Sequence, residues 1–181
     1  MYNKKGIKFK VCQSKPGDVR AIVAMINAEA ASTGALLPVA KEELRAWIKN
    51  GLSFVAKVDG EIVGHEAAYI WPESGWAELR SAIVKPAFRG KGISSATTNA
   101  IMKKLTKKRG RITIVAFTNA AGTGRGILAK QGFSEISYHD MPKELFTIGP
   151  KYRGKSEFGY KMFVKHVTAS PAKREKKQGS G

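Results

Sequence analysis

Ile83-Val84-Lys85-Pro86-Ala87-Phe88-Arg89-Gly90-Lys91-Gly92-Ile93-Ser94 is the stretch from which the rest of the chain is read. An apolar strand ends in it. Pro86 stops the ladder, because proline has no N–H to offer, glycines punctuate a turn, and a helix begins at once. Such a turn is an anion cradle: successive backbone N–H groups converge, the helix N-terminus adds partial positive charge, and Arg89 and Lys91 add full charges. Glycine suits the position because a β-carbon would hold a phosphate away from the amides. Two other phosphate loops do not fit. A Walker A loop needs a glycine separated by four residues from Gly-Lys-Ser/Thr, and the dinucleotide fingerprint needs three glycines opening a βαβ unit near the start of a domain.

Upstream of the turn, Ile7–Gln13 alternates apolar and polar residues (Ile7, Phe9, Val11), which predicts a first strand. Pro16-Gly17-Asp18 opens a helix whose apolar stripe is Ile22, Val23, Met25 and Ile26. A second helix, Lys41–Lys49, carries Leu44, Trp47 and Ile48. Leu52–Val58 reads as a strand, Asp59-Gly60 as a hairpin turn into Glu61–Trp71, and Trp76–Val84 as the third strand of a meander. Downstream come a helix (Gly92–Leu105), a β-branched strand of the buried kind (Ile112–Phe117) and a helix (Ala120–Gln131) ending at Gly132. Phe133–His139 and Phe158–Val167 are the last two predicted strands, joined by Asp140–Glu157, a loop of a length that is usually functional. The order β-α-α-β-β-β-α-β-α-β-β predicts an α/β fold with a mixed sheet and helices on both faces. One domain is expected over residues 1–168, followed by a basic tail, 169–181, of disordered composition.

Thirty-two Lys and Arg against fourteen Asp and Glu leave a formal charge of +18, which concentrates anions near the surface. The densest basic run, Lys103–Arg111, contains no acid. It reads either as a solvated helix end, where cations favour the negative pole of the dipole, or as a polyanion contact. Cys12 is the single cysteine, so neither an internal disulfide nor a Cys-rich metal site can form, and no metal is expected. No apolar run approaches the roughly 18 residues that span a bilayer, and Met1–Gly6 has no apolar segment behind its lysines. The expectation is a cytoplasmic protein without a membrane partner.

In this setting the turn resembles the acetyl-CoA loop of the GNAT superfamily of N-acetyltransferases, Gln/Arg-x-x-Gly-x-Gly/Ala. Here it reads Arg89-x-x-Gly92-x-Ser94, preceded by the family's Val-x-Pro as Val84-Lys85-Pro86. Serine at the last position departs from the pattern. A second landmark follows: a buried strand, Thr118-Asn119, and a helix ending Ile127-Leu128-Ala129-Lys130-Gln131-Gly132-Phe133, where the family usually has Leu-Tyr-x-Lys-x-Gly-Phe. The element order matches from about Ile7 to Val167. The resemblance implies a GNAT fold with splayed central strands and acetyl-CoA as acetyl donor. The CoA pyrophosphate would lie on the amides of Arg89, Gly90, Lys91, Gly92, Ile93 and Ser94, with Asn119 also touching CoA. The pantetheine arm would run along Ala82, Ile83 and Val84, where a backbone amide near Val84 polarises the thioester carbonyl.

Acetyl transfer to an amine needs a base for the ammonium proton. Glu78 resembles in position the catalytic glutamate of the histone-acetyltransferase branch, in the same strand and eleven residues before Arg89. Strand alternation places Glu78, Arg80 and Ala82 on one face. Glu66, in the neighbouring strand, ranks second as base. The family's usual acid, a Tyr, is replaced by Leu128, which leaves water, Tyr138, His139 or Tyr160, or no acid at all, since a CoA thiol is already a fair leaving group. Leu36-Leu37-Pro38 with Ala77-Glu78-Leu79-Arg80-Ser81 resembles the GNAT domain of N-acetylglutamate synthases and related amino-acid acetyltransferases. That resemblance implies a small anionic amine as acceptor, its carboxylate paired with Arg80. Two rival readings stay open: acetylation of a protein or peptide amine, and a CoA-binding basic module on RNA or the ribosome. Dimerisation also stays open, since the last strands of GNAT folds often pair between subunits.

Overall fold

The computed structural model describes residues 7–34, 36–71, 74–119, 124–137 and 160–168. The strands are β1 (Lys10–Gln13), β2 (Ser53–Val58), β3 (Glu61–Ile70), β4 (Trp76–Val84), β5 (Arg111–Asn119), β6 (Ser134–Ile136) and β7 (Tyr160–Thr168). The helices are α1 (Val19–Thr33), α2 (Lys41–Lys49), α3 (Ile93–Arg109) and α4 (Gly124–Lys130). The expected order holds throughout. The first strand is shorter than its alternation predicts, and α3 runs four residues past Leu105, through the basic run to Arg109. The lysines there occupy the last turn, where positive charge is favourable. Tyr138, His139, the whole of the predicted 140–157 loop and the 169–181 tail lie outside the described residues.

The strands form one sheet in the order β1-β2-β3-β4-β5-β7-β6. Among the described strands only β4 and β5 run parallel, joined by the crossover through α3. Helix α3 covers one face: its buried Ile101 and Leu105 pack with Phe54, Ala68, Ala77, Leu79 and Ile114. On the other face, Ile22 and Ile26 of α1 and Leu44 and Trp47 of α2 pack against Val55, Ala67 and Ile83. Asn27 ties α1 to the segment before α2: its Oδ1 accepts from the Val39 N–H (2.8 Å) and its Nδ2 donates to the Val39 carbonyl (3.2 Å).

Within β4 one position breaks the simple strand pattern. Ser81 has φ of 50°, in the left-handed region that a residue with a β-carbon seldom takes. The β3–β4 register slips there: His65 faces Ile83 while Ala67 faces Arg80, so Glu66 stands opposite two residues. This is a β-bulge, and an extra residue inverts the alternation beyond it. Leu79 belongs to the α3 face whereas Ile83, also odd-numbered, belongs to the α1–α2 face. The expectation that Ala82 shares a face with Glu78 and Arg80 is therefore corrected. It assumed an unbroken two-residue period, and the bulge at Ser81 ends that period.

The bulge is held from beneath by His65, which is almost wholly buried. Its Nδ1 lies 3.2 Å from the Ser81 carbonyl oxygen, and its Nε2 lies 3.0 Å from Ser53 Oγ, itself 2.8 Å from Ser14 Oγ. A carbonyl can only accept, so Nδ1 carries the proton and donates it, leaving Nε2 to accept from the Ser53 hydroxyl. Burial holds the ring neutral, lowering its pKa from 6.5 to about 4 against the opposing pull of the Ser81 carbonyl. Gly64 brings α3 close: a β-carbon there would lie 2.8 Å from Ile93 Cγ2 and 3.3 Å from the Ile83 carbonyl oxygen.

Two expectations follow from this packing. Gly64→Ala should lower unfolding stability by about 1–3 kcal/mol, because the first turn of α3 must move away from β3; urea denaturation measures it. The folded ring of His65 binds fewer protons than an unfolded one between pH 6.5 and about 4, so its contribution to stability is lost as pH falls through that window. The stability gap between wild type and His65→Asn should therefore narrow from pH 7 to pH 4. A gap that stays constant overturns the neutral, buried assignment.

Candidate active site

Past the bulge, β4 leaves β5. Their register covers only Trp76–Leu79 against Thr113–Ala116, although β4 continues to Val84 and β5 to Asn119. Arg80–Val84 stay paired with β3 alone, so the β4 edge that faces β5 is open where the strands diverge. Ala82 is exposed, Ile83 buried and Val84 half-buried along this stretch. The backbone of Asn119 ends β5 opposite Tyr160; its side chain lies outside the described residues.

The glycine turn sits at the end of that open edge. Gly90 and Gly92 have φ of 71° and 78°, and a β-carbon at either would meet nothing within 4 Å. Their conformation therefore demands glycine, while the space beside them is empty protein surface. Gly92 caps α3, and no bond to another described residue occupies the N–H groups of Gly90, Gly92, Ile93 or Ser94. Open amides at the positive end of a seventeen-residue helix make an anion site. Arg89 reaches back across the turn: its Nε donates to the Val84 carbonyl (3.0 Å) and its Nη2 meets Glu29 Oε1 of α1 at 2.7 Å. Lys91 Nζ donates to the Ala87 carbonyl at 3.0 Å and lies over the Phe88 ring. The structure thus sets the turn Arg89–Ser94 beside the strand end at Val84, with Ile83 buried beneath it.

Glu78 and Arg80 lie on the α1–α2 face, opposite Ala77 and Leu79. The Glu78 side chain is 0% exposed, and its Oε2 accepts from Arg80 Nε at 2.6 Å. Arg80 Nη1 lies 3.4 Å from Glu43 Oε1, an outer-limit contact to a carboxylate that is 34% exposed. The guanidinium is stacked between rings, 4.7 Å from the Tyr69 centroid and 5.9 Å from that of Trp47. Helix α2 supplies Glu43 and Trp47 one turn apart, on the same side, which is how i and i+4 side chains meet. Locally two carboxylates surround one cation, the reverse of the overall charge balance. Sequence reading missed Glu43, Trp47 and Tyr69 as members of this cluster. Trp47 reads as core, and only its four-residue spacing from Glu43 could have marked the pair.

Glu66 is placed elsewhere. It is fully buried under α3, bonded to Thr97 and Thr98, on the face opposite Glu78. Leu128 of α4 packs into the α3-side core. Tyr160 is buried in β7, and burial raises the pKa of its phenol.

The family model described as the acetyltransferase (GNAT) family matches residues 22–133. No curated protein gives a sequence match. Among solved structures, the chain is similar to N-acetylglutamate synthase from Neisseria gonorrhoeae, complexed with coenzyme A and N-acetyl-glutamate. There the TM-score is 0.73 and the identity 22%, over 90% of this chain and 36% of the synthase. The chain thus spans about a third of that protein. Rv2747 from Mycobacterium tuberculosis, solved in complex with CoA, gives TM-score 0.68 and 21% identity over 87% of this chain and 99% of that one. Ribosomal-protein-alanine N-acetyltransferase from Brucella melitensis gives 0.64 and 19% over 88% and 99%. With the family model covering more than half of the sequence, and the seven-stranded mixed sheet bearing the same architecture as these enzymes, the chain belongs to the GNAT acetyltransferase family.

Proposed function

We propose that the chain transfers the acetyl group of acetyl-CoA to the primary amine of an amino acid or similarly small anionic amine. Acetyl-CoA lies with its pyrophosphate on Arg89–Ser94 and its pantetheine arm along the open β4 edge at Ala82–Val84. The observation that carries the acceptor reading is the Glu78–Arg80–Glu43 cluster. A zwitterion offers an ammonium and a carboxylate, and this cluster offers a carboxylate and a guanidinium side by side. Glu43 is held at 3.4 Å and is partly exposed, so a substrate carboxylate can take its place on Arg80. Glu78 then receives the ammonium proton, the free amine attacks the thioester carbonyl, and the C–S bond breaks as the sulfur takes up the second proton that the nitrogen sheds, which releases CoA as thiol and leaves the amide. The relatives solved with CoA and N-acetyl-glutamate, or with CoA, support the same class of chemistry.

The acceptor reading predicts that Glu78→Gln lowers kcat by about 100-fold or more while CoA binding, read by calorimetry, is unchanged. A normal kcat in that variant at every pH overturns Glu78 as base. Arg80→Lys should raise KM for the acceptor by about tenfold with a smaller effect on KM for acetyl-CoA, since a point charge cannot replace the planar fork. An amino-acid panel assayed beside a peptide panel checks the acceptor class: turnover of peptides alone overturns it. For the donor site, Gly92→Ala should weaken CoA by about tenfold, as a residue with a β-carbon resists the left-handed conformation by roughly 1–2 kcal/mol.

A further inference from the structure

Two neighbouring residues of β3 reach in opposite directions. His65 supports the bulge, whereas Glu66 enters the α3 face and ends on that helix. Thr97 Oγ1 lies 2.8 Å from Glu66 Oε2, and Thr98 Oγ1 lies 2.8 Å from Oε2 and 3.1 Å from Oε1. The same two hydroxyls also lie 2.8 and 3.0 Å from the carbonyl oxygen of Ser94, in the first turn of the helix. Thr97 and Thr98 are buried in positions where an amphipathic helix would ordinarily place apolar residues. Glu66 is their polar partner.

Each hydroxyl has one hydrogen, and two acceptors compete for it. When Glu66 is ionised, its charge draws both hydrogens and the Ser94 carbonyl loses its side-chain donors. When Glu66 is protonated, its own O–H donates to one threonine oxygen, which frees that hydroxyl for Ser94, and the uncharged carboxyl draws the other hydroxyl less strongly. We propose that Glu66 is a positioning residue for the phosphate cradle, gripping the first turn of α3 through Thr97 and Thr98 according to whether its carboxyl carries a proton. The inference rests on the placement of the CoA pyrophosphate at Arg89–Ser94.

The surroundings leave this carboxyl without a charged neighbour among the described residues. From α3 it meets the two threonine hydroxyls, β2 sets Phe54 opposite it, and on the β4 side it lies across from the bulge. His65, next to it in sequence, turns to the other face. Burial pushes its pKa up to about 7, against the lowering effect of the two threonines. Two effects then act with the same sign on an incoming diphosphate. An ionised carboxylate behind the cradle repels it, and a protonated one does not. Hydroxyls turned onto the Ser94 carbonyl polarise the Ser94–Ser95 peptide and strengthen the Ser95 N–H at the open end of the helix. CoA therefore binds the protonated form more tightly and, by reciprocity, draws a proton onto Glu66.

Calorimetric titration of the full chain with CoA at pH 6 and pH 8 tests this in wild type, Glu66→Gln and Gly92→Ala. Glutamine keeps the size and the threonine contacts but stays neutral. Wild type should lose affinity toward pH 8 by about fivefold more than Glu66→Gln, the lower end of ordinary site-to-site couplings. The 3′-phosphate of CoA itself titrates near 6, with a contribution common to both proteins that cancels in the comparison. Parallel pH profiles in wild type and Glu66→Gln, with CoA weakened in Gly92→Ala, overturn the role of Glu66 alone. Unweakened binding by Gly92→Ala overturns the cradle reading beneath it. Unaltered protein titrated with 3′-dephospho-CoA gives an independent check: affinity that falls toward pH 8 supports the proposal, and affinity independent of pH overturns it.

Discussion

Ser81 stands in the left-handed region in the middle of a strand, a state that disfavours a side-chain-bearing residue by about 1–3 kcal/mol, and the open edge of the sheet follows from it. The bulge inverts the alternation of β4, turns Ile83 toward α1 and α2, and ends the pairing with β5 at Leu79. A regular strand here would have zipped to β5 along its length and closed the edge. The conformation persists because its carbonyl has a partner that cannot easily leave: a neutral histidine, buried and backed by two serine hydroxyls. The strain and its support are thus both parts of the site.

Much of this architecture was legible in the residues. Pro86, the paired glycines and the helix that follows mark a strand–turn–helix junction because their chemistry is local: a missing N–H, a positive φ, a free helix end. Strand and helix order was legible for the same reason, since periodicity is a local property. The bulge was not. Nothing in Ala77-Glu78-Leu79-Arg80-Ser81 distinguishes a strand with an extra residue from one without, because the slip is defined by β3 across the ladder. The Arg80 cluster was half legible. Glu78 and Arg80 share a strand, but Glu43 and Trp47 arrive from a helix more than thirty residues away, and Tyr69 from the adjoining strand. Glu66 was legible as an acid in the right strand and illegible as a helix clamp, since its partners sit thirty residues on.

Charge in this molecule is sorted by location. The chain carries +18, yet the described cluster on the α1–α2 face sets two carboxylates around one guanidinium. Around the phosphate turn, Arg89 already holds Glu29, so an anion arriving there meets a cation with a prior partner. Meanwhile Lys107, Lys108 and Arg109 gather in the last turn of α3, at the helix end remote from the cradle. The wide positive field favours a polyanionic donor such as CoA over long distances. Over a few ångströms the cluster on the α1–α2 face sets a local field of the opposite sign. The two fields are different ranges of the same force.

The short parallel seam between β4 and β5 has a mechanical consequence. Four residue pairs and the crossover through α3 join β4 to β5, whereas the antiparallel ladders on either side of that seam, β3–β4 and β5–β7, are longer. Among the three ladders at the centre of the sheet, this seam has the fewest pairs to hold it against local opening. A molecule lying in the gap would act as a surrogate strand, and its binding energy would be added to the shortest of those central ladders.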